Sequence, residues 1–157
     1  MKHAFRYFFI LTALFFYACE ENETTKDEDT SPSSVEIEIV RLVNEHRTGM
    51  GLPAMESNDI LWKAAREHTQ YMIGKKAISH DNFNSRLDAI AKQLPWSGAG
   101  ENVASGYTSA AAVMTGWLNS AGHKANIEGD FNRIGVAALQ DSDGSWYYTQ
   151  IFVKTNP

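Results

Sequence analysis

Few side chains in this chain could do chemistry, and they stand far apart. Its 157 residues contain five histidines and a single cysteine, Cys19. His80, His123 and Glu101, the middle residue of a G-E-N triplet, are of metal-ligating type. Neutral imidazole is the commonest protein ligand for zinc and similar ions, and a carboxylate is a competent partner ligand. No H-E-x-x-H or other local metal motif joins these residues, which sit about twenty positions apart on separate elements. Ser79, beside His80, lacks the context of a strained nucleophile elbow. His68 and His46 fall on apolar helical stripes and read as packed histidines.

Cys19 calls for different chemistry. Lys2, His3 and Arg6 precede an uncharged, mostly apolar run from Tyr7 to Ala18. Twelve helical residues reach about 18 Å, short of the ~30 Å hydrocarbon core, so the run reads as a signal-peptide core rather than a spanning helix. Cys19 directly after Ala18 resembles a bacterial lipobox, with Phe16 in place of the usual aliphatic residue. The expectation is therefore a signal peptide over 1–19 with lipidation at Cys19. More than one acyl chain would then anchor the protein to the cell envelope. A lone cysteine makes no internal disulfide, so the folded part must hold by its core alone.

Residues 20–34 carry six acidic side chains against Lys26 and nothing worth burying, which predicts a disordered acidic linker. Such stretches also resemble the export signals that carry some lipoproteins to the cell surface. From Val35 onward thirteen acidic residues face eleven basic ones, so most of the formal charge of −5 belongs to the tail. A domain near −2 has no basic footprint for nucleic acid.

The remaining elements must position the candidate residues. Ser33 and Glu36 have capping-box spacing, and Ile39, Leu42, Val43 and His46 continue a helix to Gly49. A second helix starts at Ser57 or Asn58, presents Leu61, Ala64, Ala65, His68 and Met72, and closes at Gly74. A third covers about 85–94. Residues 97–107, with three glycines, read as loop and short strand. Thr108 caps a fourth helix reaching Leu118. The pattern then alternates at Ile134, Val136 and Ala138, turns at Asp141–Gly144, and resumes as a β-branched and aromatic run from Trp146 to Val153. That is an antiparallel hairpin, and the whole predicts an α+β domain with helices covering a sheet. Trp117, Trp146, Tyr148 and Phe152 are expected in its core.

Five motifs run in order: Ile78-Ser79-His80; Gly100-Glu101-Asn102-Val103-Ala104-Ser105-Gly106; Trp117 through Ile127; Ile134-Gly135-Val136; and Tyr148-Thr149-Gln150-Ile151-Phe152. This series resembles the CAP superfamily of cysteine-rich secretory, antigen 5 and pathogenesis-related proteins, in its short bacterial SCP-like form, over nearly all of 35–157. The resemblance implies a CAP-like α-β-α sandwich with an antiparallel sheet between helical layers. It also implies a cleft where His80, Glu101 and His123 converge and hold a divalent cation, zinc or calcium, or a small or peptide ligand outside the cell. A second acid usual in the family falls on Ser120 here. The same trio could serve a metal-dependent, protease-like hydrolase, with catalytic candidates His80, Glu101 and His123. It could equally be structural, with Glu101 satisfying backbone amides and Asn102 and Asn126 bracing turns and loops. Family members share no single activity, so the resemblance leaves the choice open.

Overall fold

The computed structural model describes residues 31–156; the expected signal segment, Cys19 and most of the acidic linker lie outside them. Helix α1 spans Ser34–Gly49 and opens on the expected capping box. The Ser33 N–H donates to Glu36 Oε2 at 2.6 Å, and the Glu36 N–H donates to Ser33 Oγ at 3.4 Å. Glu36 does more than cap. Its buried carboxylate also accepts from the Trp62 indole at 3.2 Å and from the Ala138 N–H at 2.9 Å, tying α1 to the second helix and the sheet.

Strand β1 (Glu56–Ser57) leads into α2 (Asp59–Lys75), which Asn58 caps through the Ile60 and Leu61 amides. After α3 (Phe83–Ala91) come β2 (Gly98–Ser105), α4 (Ala110–Leu118), α5 (Ala121–Ile127) and the hairpin of β3 (Arg133–Gln140) and β4 (Trp146–Lys154). The sheet order is β1-β3-β4-β2. The β2/β4 and β3/β4 pairs are antiparallel, and only the short β1/β3 pair is parallel.

Alternation along the strands produces the layers. Ile134, Val136, Ala138, Tyr148 and Phe152 face one side and pack with Ile39 and Val43 of α1, Val113, Met114 and Trp117 of α4, and Ile127 of α5. Ala137, Ile151 and Val153 face the other side and pack with Leu61, Ala64 and Ala65 of α2 and Leu87 and Ile90 of α3. An α-β-α sandwich results, with Trp117, Tyr148 and Phe152 fully buried and Trp146 half-buried against the first layer.

Several boundaries differ from the sequence expectation. The stretch 97–107, expected as loop and short strand, is mostly strand, the eight-residue β2. Its Gly100 serves close packing, since a Cβ there would stand 2.8 Å from Asn126 Oδ1. Helix α2 passes through Gly74, and the left-handed cap falls on Lys76 (φ 52°). Helix α3 begins two residues earlier than expected, after a left-handed Asn82, and ends at Ala91. Ser109, not Thr108, caps α4. Helix α5 buries only Ile127, so it left no apolar stripe to detect.

Helix α2 approaches the backbone of β3 closely at Gly135. A Cβ added at Gly135 would lie 2.2 Å from the Leu61 carbonyl carbon and 2.3 Å from the Trp62 nitrogen, both backbone atoms that cannot swing aside. Gly135→Val should therefore destabilise the domain by about 3 kcal/mol in urea melts, the scale of a core overpacking change. Gly122→Ala, where nothing lies within 4 Å, should be neutral or stabilising by up to about 1 kcal/mol.

Candidate functional site

The site is assembled at β2, the edge strand beside β4. Glu101 pairs across the ladder with Ile151, so its side chain points into the α2/α3 layer. There its carboxylate is only 2% exposed, which demands compensation by charge or hydrogen bonds. Two residues supply it, and a third stands close by. Arg86 of α3 reaches Oε2 through Nε at 3.0 Å and Nη2 at 2.5 Å, and also donates to the Asp81 carbonyl at 3.1 Å. His80, in the turn between α2 and α3, places Nδ1 2.8 Å from Oε1. His68 of α2 brings Nε2 to 3.8 Å from the same oxygen.

A carboxylate opposite a guanidinium only accepts, so a neutral His80 carries its proton on Nδ1 and leaves the Nε2 lone pair free. The His80 side chain is 55% exposed, so that lone pair belongs to a ring open to solvent. Buried His68 is arranged differently. Its Nε2 donates to the Ser79 carbonyl at 2.7 Å, and burial pushes its pKa below the usual histidine value, outweighing the Ser79 bond and the Glu101 charge.

His123 arrives from the opposite layer. It lies on α5, half-buried, and burial lowers its pKa first, with the neighbouring charge of His80 second. Its backbone is held by Asn102, the residue after Glu101, whose side chain faces the α5 layer. Asn102 Nδ2 donates to His123 O at 3.1 Å and to Gln150 Oε1 at 3.0 Å. Asn126 Nδ2 in turn donates to Asn102 Oδ1 at 2.8 Å and to Glu101 O at 3.0 Å. Asn102 is thus a buried strand residue, not the turn brace its type suggested.

His80 and Glu101 are in direct contact, and His123 stands on α5 in the opposite layer. Glu101 satisfies side chains rather than the backbone amides considered from sequence. Among the described residues, no three His, Cys, Asp or Glu side chains form a group arranged to hold a metal ion. Ser120, at the place of the usual second acid, is the residue before α5 and makes no side-chain cap. His46 pairs with Glu128 at 2.8 Å, away from this cluster. Sequence reasoning passed over Arg86 and gave His68 no role. The usable signal was Glu101 itself, because a carboxylate within a buried strand requires a cation nearby.

Behind the cluster, a groove of about 510 Å³ runs between α2 and α3, lined by Ile60, Ala64, His68, Tyr71, Arg86 and Ile90 among others. It does not reach His80, Glu101 or His123.

Comparison with known proteins decides the family. A model of the cysteine-rich secretory protein family, CAP, matches residues 40–152. The chain belongs to the CAP family. It is 33% identical to the protein YkwD of Bacillus subtilis (strain 168) over 138 residues, which are 85% of this chain but 52% of YkwD. The chain thus spans about half the length of that CAP relative. An outer surface protein from Borrelia burgdorferi is similar in structure, with a TM-score of 0.71 at 25% identity, covering 80% of this chain and 97% of that one. An extracellular SCP-domain protein from Bacillus anthracis str. Ames gives a TM-score of 0.66 at 29% identity, covering 76% of this chain and 40% of that one. The fold is accordingly a CAP/SCP domain of the extracellular type. Among the described residues no helix is long and apolar enough to cross a membrane.

Two measurements test this account of the CAP site. Arg86→Met keeps the aliphatic bulk but strands the Glu101 carboxylate, and should cost about 3–5 kcal/mol in urea melts, as for a buried ion pair losing one partner. The second concerns pH. His68 faces Glu101, Arg86 and His80, and its folded pKa is depressed, as is that of His123. The unfolded chain takes up these protons near pH 6.5, while the folded one resists until lower pH. Stability should therefore be full above about pH 7 and fall as pH drops toward 5.5. His68→Gln should flatten that slope in melts compared at the two pH values.

Proposed function

We propose that this CAP domain is an extracytoplasmic binding module, tethered to the cell envelope by lipid at Cys19, whose His80 and His123 imidazoles hold a divalent cation. Zinc fits the nitrogen donors best, since calcium prefers oxygen ligands. One observation carries this reading: the 2.8 Å contact between His80 Nδ1 and Glu101, beneath a ring left half open to solvent. A ligating histidine commonly gives its second nitrogen to a carboxylate, which fixes the tautomer and raises ligand basicity. Glu101, buried and engaged through both oxygens, then supports a ligand instead of being one. A bound ion would act as a Lewis acid or as an anchor for a small or peptide ligand. The remaining coordination positions would be filled from outside the protein.

A hydrolase would use the same two imidazoles, but Ser120 stands where the family usually has a second acid. Binding is the simpler use of this set. The relatives' extracellular and outer-surface character supports export, and the basic-then-apolar start of the chain, ending at Cys19, supports the lipid tether.

Calorimetric titration of the full-length protein with zinc and with calcium tests the site. Zinc should bind at about one equivalent, and His80→Ala and His123→Ala should each weaken it at least tenfold with the fold intact. Equal affinity in the double variant would refute the assignment, and turnover of peptide or ester libraries by the zinc-loaded protein would replace binding with hydrolysis. Metabolic labelling with a palmitate analogue should mark the wild type and not Cys19→Ala; an unlabelled wild type would remove the anchor.

A further inference from the structure

We infer that His68 is a positioning residue for His80, acting through the carbonyl of Ser79. The turn from Lys76 to Asn82 joins α2 to α3 and carries His80. Its ends have backbone hydrogen bonds of their own: Lys76 N–H to Ile73 O at 3.0 Å, Ala77 N–H to Met72 O at 3.2 Å, and Phe83 N–H to His80 O at 3.2 Å. The middle of the turn is held by side chains of α2. The Ser79 N–H donates to the Met72 sulfur at 3.4 Å, and the Ser79 carbonyl accepts from His68 Nε2 at 2.7 Å. Asp81 accepts from Tyr71 Oη at 2.8 Å and from Lys75 Nζ at 2.5 Å.

Of these ties, the one from His68 acts most directly on His80. The Ser79 carbonyl and the His80 N–H share one planar peptide unit, so fixing the oxygen fixes the plane from which the His80 side chain departs. His68 suits this task in three ways. Its side chain is 1% exposed, so its bond to Ser79 meets little competition from water. It stacks on Tyr71, with centroids 5.9 Å apart and planes 17° from parallel, which limits rotation of the ring. A carbonyl accepts only, so the proton of neutral His68 resides on Nε2, and the ring adds no charge beside Glu101. The Glu101 carboxylate is then left to Arg86 and His80. This inference rests on the reading of His80 as a ligand, and the test separates the two.

Zinc titration and amide hydrogen exchange are to be run on the full-length wild type, His68→Phe and His68→Gln. Phe keeps an aromatic filler without the donor, whereas Gln restores an N–H near the Ser79 carbonyl. His68→Phe should bind zinc about tenfold more weakly and lose protection at the amides of residues 78–82; His68→Gln should recover most of both. Wild-type affinity and protection in His68→Phe would overturn the inference. If the wild type itself binds no zinc, the proposed function falls, and the exchange pattern alone still decides the role of His68. Should His68→Phe fail to fold, nitrogen-15 NMR of the wild-type imidazoles provides the check. The His68 proton should be found on Nε2, and a proton on Nδ1 alone would rule out the bond to Ser79.

Discussion

A buried carboxylate on an edge strand organises half of this domain. Glu101 is placed by the strand register on the α2/α3 side of the sheet, where water cannot solvate it. Several kcal/mol of desolvation must be offset by neighbours. The chain meets this with Arg86 from α3 and His80 from the turn, while neutral His68 of α2 stands 3.8 Å from the same carboxylate. The helices of that layer are therefore fixed relative to the sheet by an ionic cluster as well as by their apolar faces. The open imidazole at the surface is a by-product of the same arrangement, since a histidine tethered by Nδ1 can present only Nε2.

Much of the fold was legible because it rests on periodicity. The capping box at Ser33 and Glu36, the stripe Leu61-Ala64-Ala65-His68-Met72 and the terminal hairpin are local patterns, and each appears where the pattern put it. What local pattern does not contain was missed. Helix α5 buries one residue, and glycines in β2 mimic a loop although Gly100 is there to admit Asn126. The site was legible only in part. Motifs pointed to His80 and Glu101, which do meet, and to His123, which stands in the opposite layer. Arg86 was invisible because a cation six residues beyond His80 has no signature of its own until Glu101 is known to be buried. His68 was seen correctly as a packed histidine, but its bond to Ser79 depends on how the turn folds back on α2.

Polar groups also anchor the other layer. Arg47, buried at the end of α1, donates to the carbonyls of Pro53, Ile127, Gly129 and Phe131, and so gathers the turn after α1, the end of α5 and the approach to β3. Asn102 and Asn126 join α5 to the sheet from within. Together these bonds hold α5 from two directions, although it has little apolar surface of its own. Beside them, the Gln150 Nε2 amide nitrogen is buried without a partner among the described residues.

Because successive residues of β2 point to opposite faces, Glu101 holds the His80 imidazole and Asn102 holds the backbone that carries His123. His80 and His123 are mounted on different layers, with the rim of the sheet between them. His80 rides on the turn tied to Glu101 and His123 on the helix tied to Asn102, so one strand aligns two independently carried rings. A substitution in the turn would shift the first ring while leaving the second where α5 sets it.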